Sequence, residues 1–169
     1  MADQPRTDAR IVDVEPQPTA AVRFQRPMAS VDVGALMGAA LGSLGARLGR
    51  TGIAPDGPPY ARYHAWGGDL ADVEIGFPIA QPIPGLPALG ETAEGEVGAS
   101  ELPGGRIAVI VHHGPYTELG DAYGRLHEWI HAQGEDEAPG PWESYIDNPE
   151  EVDDPAGLRT EIRWPLTER

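Results

Sequence analysis

The 169-residue chain contains no cysteine. That excludes a disulfide framework, a thiol nucleophile and a cysteine-ligated metal. Lysine is absent too, so all 12 basic residues are arginine, and against 27 acids they leave a formal net charge of -15. A surface of that sign repels phosphates, which are held by clustered Lys and Arg. No direct contact with DNA is expected. No apolar run is long enough to span a bilayer, and Met1 to Arg10 is polar, without the apolar segment of a signal peptide. No membrane association is expected, and the cytoplasm is the default compartment. Gly104-Gly105 lacks the spacing and the following lysine of a phosphate loop. No Gly-x-Ser-x-Gly elbow occurs, and Ser30, Ser43, Ser100 and Ser144 have no triad context. No cofactor is expected.

What is present suits an α+β domain. The 22 Gly and 18 Pro are too many for a helical bundle and fit strands joined by turns. A hydrophobic content of 40% is enough for one compact core, so residues 1–169 read as a single domain. Gly134 to Pro155 holds nine acids and no base. Such a surface draws cations, although solubility alone would also account for it.

Short strands are predicted at Arg10 to Val14 and Ala20 to Phe24, split by Pro16 and Pro18. Val33, Leu36, Met37, Ala40, Leu41, Leu44 and Leu48 then recur at helical steps. Ser30 or Asp32 would cap this helix, and Gly49 and Gly52 would end it. Gly34, Gly38 and Gly42 share one face of it, where another backbone or a ligand could come close. Strands follow at Pro59 to His64, Asp72 to Phe77, Gly95 to Ser100 and Arg106 to His112, with a turn at Gly104-Gly105 between the last two. A second helix spans about Thr117 to Gln133. Trp142 to Ile146 and Leu158 to Leu166 close the chain.

These elements repeat. Tyr60, Tyr63, Glu74, Phe77 and Pro78 recur in order as Trp142, Tyr145, Glu161, Trp164 and Pro165. Repeat one covers about residues 11–80, a Pro-rich linker about 81–90, and repeat two about 91–166. Two such strand-helix-strand-strand units would meet about a pseudo-twofold axis. A central cleft there is a common place for a ligand.

The motif His113-Gly114-Pro115-Tyr116 precedes a helix carrying Leu119, Tyr123, Leu126, Trp129 and Ile130. Tyr145-x-x-x-Pro149 and Thr160-Glu161-Ile162-x-x-Pro165 follow. The first half adds Gly57-Pro58-Pro59-Tyr60-Ala61-Arg62-Tyr63 and Val73-Glu74-Ile75-Gly76-Phe77-Pro78. In order and spacing these motifs resemble the GyrI-like small-molecule-binding family, from about Ile11 to Leu166. The resemblance implies two pseudo-twofold-related repeats, an antiparallel sheet, two main helices and a central pocket. Similar domains are effector-binding modules of AraC- and MerR-type regulators. No helix-turn-helix is recognised before the domain here, so the stand-alone form is expected.

The function implied is binding of apolar or cationic drug-like compounds, for sensing, sequestration or detoxification. An alternative is hydrolysis of reactive cyclopropane-bearing natural products in the same pocket. The resemblance places a central carboxylate on the strand of Glu161, making it the leading ligand-binding and, in an enzyme, catalytic residue. An exposed strand glutamate paired with Arg159 or Arg163 is the plainer reading. Glu74 is its repeat mate. Tyr63 and Tyr145, then Trp142, then Tyr60, Phe77 and Trp164, are candidate walls, since aromatic faces suit cationic ligands. Strand alternation prevents all six from lining one surface.

His127-Glu128-Trp129-Ile130-His131 also fits the zinc-protease pattern, with Glu150 or Glu151 as a third ligand. Glu128 would point away from the apolar stripe, against that reading. Failing zinc, the pair could still bind metal adventitiously. A last reading is a protein partner whose nucleic-acid site the acidic stretch mimics.

Overall fold

A computed structural model describes residues 9–30, 33–65, 68–80, 90–92, 95–147 and 151–167. Its fold is α+β. The strands are β1 (Arg10–Val14), β2 (Gln17–Pro27), β3 (Tyr60–Ala65), β4 (Leu70–Pro78), β5 (Gly90–Thr92), β6 (Gly95–Leu102), β7 (Gly105–His113), β8 (Trp142–Tyr145) and β9 (Arg159–Pro165). The helices are α1 (Val33–Thr51) and α2 (Leu119–Ala132). The nine strands among the described residues form one antiparallel sheet in the order β1-β7-β9-β8-β3-β4-β2-β6-β5. Without β5 this order reads alike from either end, with β1 matched to β6, β7 to β2, β9 to β4 and β8 to β3. The unit β2-α1-β3-β4 is thus laid out as β7-α2-β8-β9 is. The two meet where β3 pairs with β8.

The turn before Gly105 does not close a hairpin, as the sequence suggested. Instead β6 pairs with β2, and β7 pairs with β1 and β9. Six strand spacings separate β6 from β7 in the sheet order, about 29 Å if the sheet were flat. Pro103 and Gly104, the residues between them, span at most about 11 Å. The sheet must therefore curl. Its inner face holds a core drawn from both ends and the middle: Ala21, Leu102, Ile107, Val109, Tyr60 and Trp142, with Val12 and Val14 against it. At the closure, a Cβ on Gly104 would lie 2.6 Å from Pro16 Cδ. β2 also starts earlier than expected and includes Pro18, opposite Glu101 of β6.

The helices cover the outer face, one per half. Ala40, Leu44 and Leu48 of α1 join Ala20, Val22, Phe24, Val73 and Ile75 in one core. Ala122, Leu126 and Ile130 of α2 join Ala108, Ile110 and Ile162 in another. Each fully buried Leu, Ile or Phe contributes about 1.5–3 kcal/mol. β2 is buried on both faces over Thr19 to Val22 and β7 over Ile107 to Ile110, which explains the apolar runs Ala20 to Val22 and Ile107 to Val111. α1 continues through Gly49 to Thr51, and Gly52 follows at φ 74°. Gly38 and Gly42 do not receive a close neighbour: a Cβ on either would meet nothing. The candidate cap Asp32, the side chain of Ser30 and residues 81–89 of the linker lie outside the described residues.

Close approach of backbones matters instead at Gly76. A Cβ there would lie 2.4 Å from the Ala20 carbonyl oxygen and 2.9 Å from Ala21 Cβ. Gly76→Ala is expected to destabilise the fold by about 2 kcal/mol or more, which thermal unfolding will show as a lowered Tm.

Candidate functional site

The junction of the halves has two faces, set by strand alternation. On the outer face, cross-strand neighbours form the row Val22, Ile75, Ala61, Glu143, Ile162, Ile110. It is symmetric, with Val22 matched to Ile110 and Ile75 to Ile162. The symmetry fails at its centre, where Ala61 faces Glu143. All six residues are at most 4% exposed. One carboxylate therefore sits in the middle of an aliphatic row, between the two helix-covered cores.

Around it stand tyrosines. Tyr145 Oη donates to Glu143 Oε2 at 2.6 Å, and Tyr63 Oη to the same oxygen at 3.2 Å. These two tyrosines are repeat mates, one from each half. The buried Tyr123 hydroxyl of α2 approaches Glu143 without a hydrogen bond of ordinary geometry. Tyr116 stands edge-on to Tyr145, with centroids 5.7 Å apart, and is partly exposed. Among the described residues, no cationic side chain is hydrogen-bonded or ion-paired to Glu143.

A buried carboxylate without a countercharge favours its neutral form. Burial pushes the Glu143 carboxyl above its ordinary pKa, and hydrogen bonds from Tyr145 and Tyr63 offset this only in part. Burial, then the Glu143 charge, push Tyr145 well up, so it remains a donor. Beside Tyr145 across the sheet lie Thr160 and then His112. Thr160 Oγ1 and His112 Nδ1 are buried without a hydrogen-bond partner, although His112 Nε2 bonds the Pro115 carbonyl at 3.1 Å. Unsatisfied polar atoms thus gather on one side of the buried acid.

Glu161 lies on the other face. Its neighbours Thr160 and Ile162 point outward under α2, so alternation turns Glu161 inward, where Arg163 Nε bonds it and Arg10 lies 4.0 Å away. Glu74 is also on the inner face. Tyr60 Oη donates to it, His64 Nε2 lies 3.0 Å from its Oε1, and Ser100 Oγ donates at 3.1 Å. Burial would raise the Glu74 pKa, but the hydrogen bonds from His64, Tyr60 and Ser100 prevail and hold it below the ordinary value. Tyr60 and Trp142 belong to the inner core. Tyr63, Tyr145, Phe77 and Trp164 are on the helix-covered face. Phe77 packs into the core under α1, and Trp164 lies under α2, its Nε1 donating to the Ala138 carbonyl at 3.2 Å. The structure thus brings Tyr63 and Tyr145 together and separates them from Glu161, Glu74, Tyr60 and Trp142.

Glu143 was missed by sequence reasoning. A signal was available: it lies two residues before Tyr145 on one strand, so both side chains share a face.

His127 and His131 are about half exposed, and both approach the carboxylate of Glu137. Glu128 is exposed and outside this cluster, as is Glu151. Glu150 lies outside the described residues.

A curled antiparallel sheet with two helices on its outer face puts the chain in the class of α+β domains. The chain belongs to the GyrI-like small-molecule-binding domain family, matched over residues 7–167. No curated protein sequence matches it significantly. Among solved structures it resembles the C-terminal domain of EcmrR, with TM-score 0.76, 20% identity, and coverage of 97% of this chain and 99% of that one. It matches 58% of the EcmrR chain in a complex with DNA, at 22% identity, TM-score 0.75 and 96% of its own length. A Listeria innocua hydrolase has TM-score 0.64 and 13% identity, covering 98% and 94%. SAV2435 bound to tetraphenylphosphonium has TM-score 0.61 and 10% identity, covering 95% and 94%. These likenesses are of fold. Among the described residues, no helix is long and apolar enough to cross a membrane.

Proposed function

We propose that this protein binds apolar molecules bearing one positive charge at the junction of its halves, for sensing, sequestration or detoxification. Glu143 supplies the countercharge. Tyr63, Tyr145, Tyr123 and Tyr116 supply aromatic faces, which attract cations through their ring quadrupoles. The observation that carries this reading is the lone carboxylate in the row Val22, Ile75, Ala61, Glu143, Ile162, Ile110. Family membership supports small-molecule binding, and the tetraphenylphosphonium held by SAV2435 supports the chemical class. In this reading Glu161 and Glu74 play no direct part in binding. The net charge of -15 favours uptake of cations and opposes direct contact with nucleic acid.

Tetraphenylphosphonium is the probe. Titrated into the protein, it is expected to saturate one site and to change the tryptophan fluorescence. Only a linear, unsaturable signal up to the solubility limit would overturn the proposal.

A second reading rests on the raised pKa of Glu143 and the likeness to the Listeria innocua hydrolase. In its acid form, Glu143 would protonate one carbon of a strained cyclopropane ring as its ring bond breaks and water attacks the neighbouring carbon; the carboxylate so formed takes the water's proton, giving the ring-opened alcohol. Mass spectrometry of such an electrophile after incubation separates the readings. A hydrated product that Glu143→Gln fails to form supports the enzyme; recovery of the starting compound leaves binding alone.

A further inference from the structure

The binding site leaves one sequence motif unused, and the structure gives it a different third member. His127 Nδ1 approaches one oxygen of Glu137, and His131 Nε2 lies 3.0 Å from the other. The imidazole centroids are 4.4 Å apart. One ligand atom from each of the three residues lies within 4.8 Å of the others. In a tetrahedral zinc site with bonds near 2.1 Å, ligand atoms stand about 3.4 Å apart. Small side-chain rotations would therefore admit an ion.

Glu137 is the anchor. It is bridged to Leu166, and the flanking bonds Ala138 N to the Pro165 carbonyl (2.7 Å) and Thr167 N to the Asp136 carbonyl (2.9 Å) hold its backbone. The two His stand one turn apart at the end of α2. We propose that His127, His131 and Glu137 form a surface site for a divalent transition-metal ion that ties the end of α2 to the chain beyond it. Two imidazoles and one carboxylate suit zinc, nickel or copper rather than magnesium or calcium. The site is structural, not proteolytic, because Glu128, the base such a protease needs, is outside the cluster. It also has a built-in reporter. The His127 ring lies 6.2 Å from Trp164, whose ring is edge-on to Tyr123 at 5.8 Å.

The test uses the full chain without a His-tag, stripped by chelator and titrated calorimetrically with zinc chloride. One equivalent is expected to bind. The Tm should rise by about 5 °C or more at a hundredfold excess over Kd. His131→Ala and Glu137→Gln should each weaken binding about tenfold or more, and magnesium should give no saturable heat. Nickel should quench tryptophan fluorescence, with most of the quenching lost in Trp164→Phe. Because Glu137 is partly buried, circular dichroism checks its variant. His131 is half exposed and provides the independent arm. No saturable zinc binding, or binding unchanged by His131→Ala, would overturn the site; the latter would trace the metal to the acidic stretch.

Discussion

Glu143→Gln is expected to bind tetraphenylphosphonium roughly 30- to 1,000-fold more weakly than the parent protein if the proposed site is correct, a loss of about 2–4 kcal/mol for deleting one charge of a buried pair. Glutamine keeps the size and one acceptor oxygen, so Tyr63 and Tyr145 retain a partner. Stability should hold or rise, because the folded chain no longer buries an unpaired charge. That combination separates a ligand carboxylate from a structural one. The pH dependence follows. The folded-state pKa of Glu143 is raised. Its effect on stability is most favourable below the unfolded pKa and is lost as pH rises through the folded one. Affinity for a permanent cation runs the other way. It is full above the folded pKa and falls as acid neutralises Glu143, with a midpoint above the ordinary carboxylate range. Binding isotherms across pH test this; a flat profile, or one identical in Glu143→Gln, would sink the assignment.

The opposite result is expected from Glu74. Glu74→Ala strands Tyr60, His64 and Ser100 in the inner core and should cost about 3 kcal/mol at pH 7, lowering Tm by on the order of 10 °C. Its folded pKa is depressed. It therefore contributes stability above the unfolded carboxylate value, and that contribution is lost as pH falls through the folded one. Parent and variant should converge in acid. Thermal unfolding at neutral and acid pH gives the comparison; equal Tm values at neutral pH would remove Glu74 from the stabilising network. Tetraphenylphosphonium affinity, measured on the folded fraction, should change little.

The two glutamates differ in what surrounds them rather than in how deeply they lie, for both are at most 4% exposed. Glu74 has three donors and is held ionised. Glu143 has two tyrosine donors, no cation bonded to it among the described residues, and apolar neighbours on either strand. Environments that push two buried acids apart in this way fit the proposed roles, Glu143 for the ligand and Glu74 for the fold.

Much of the architecture was legible in the residues. Apolar alternation located the main strands, three- and four-residue spacing located both helices, and the ordered aromatics and prolines indicated a doubled unit. Tyr63 and Tyr145 occupy equivalent places in that unit, and both bond the buried Glu143. Other features were not legible. The turn before Gly105 looked like a hairpin because a turn has the same local chemistry whether its strands pair with each other or with distant partners. Alternation along the strand puts Glu161 on the face opposite Ile162, but which of the two faces lies under the helices follows only from the packed sheet.

The sequence by itself determined the periodicities, the acidic balance, the absence of thiol chemistry and the doubled pattern, all properties of neighbouring residues along the chain. Only the tertiary structure decided that β1 pairs with β7 and β6 with β2, that the sheet curls, and that Glu143 lies opposite Ala61. Those outcomes depend on register between strands far apart in sequence. A shift of one residue would exchange every inward side chain for an outward one.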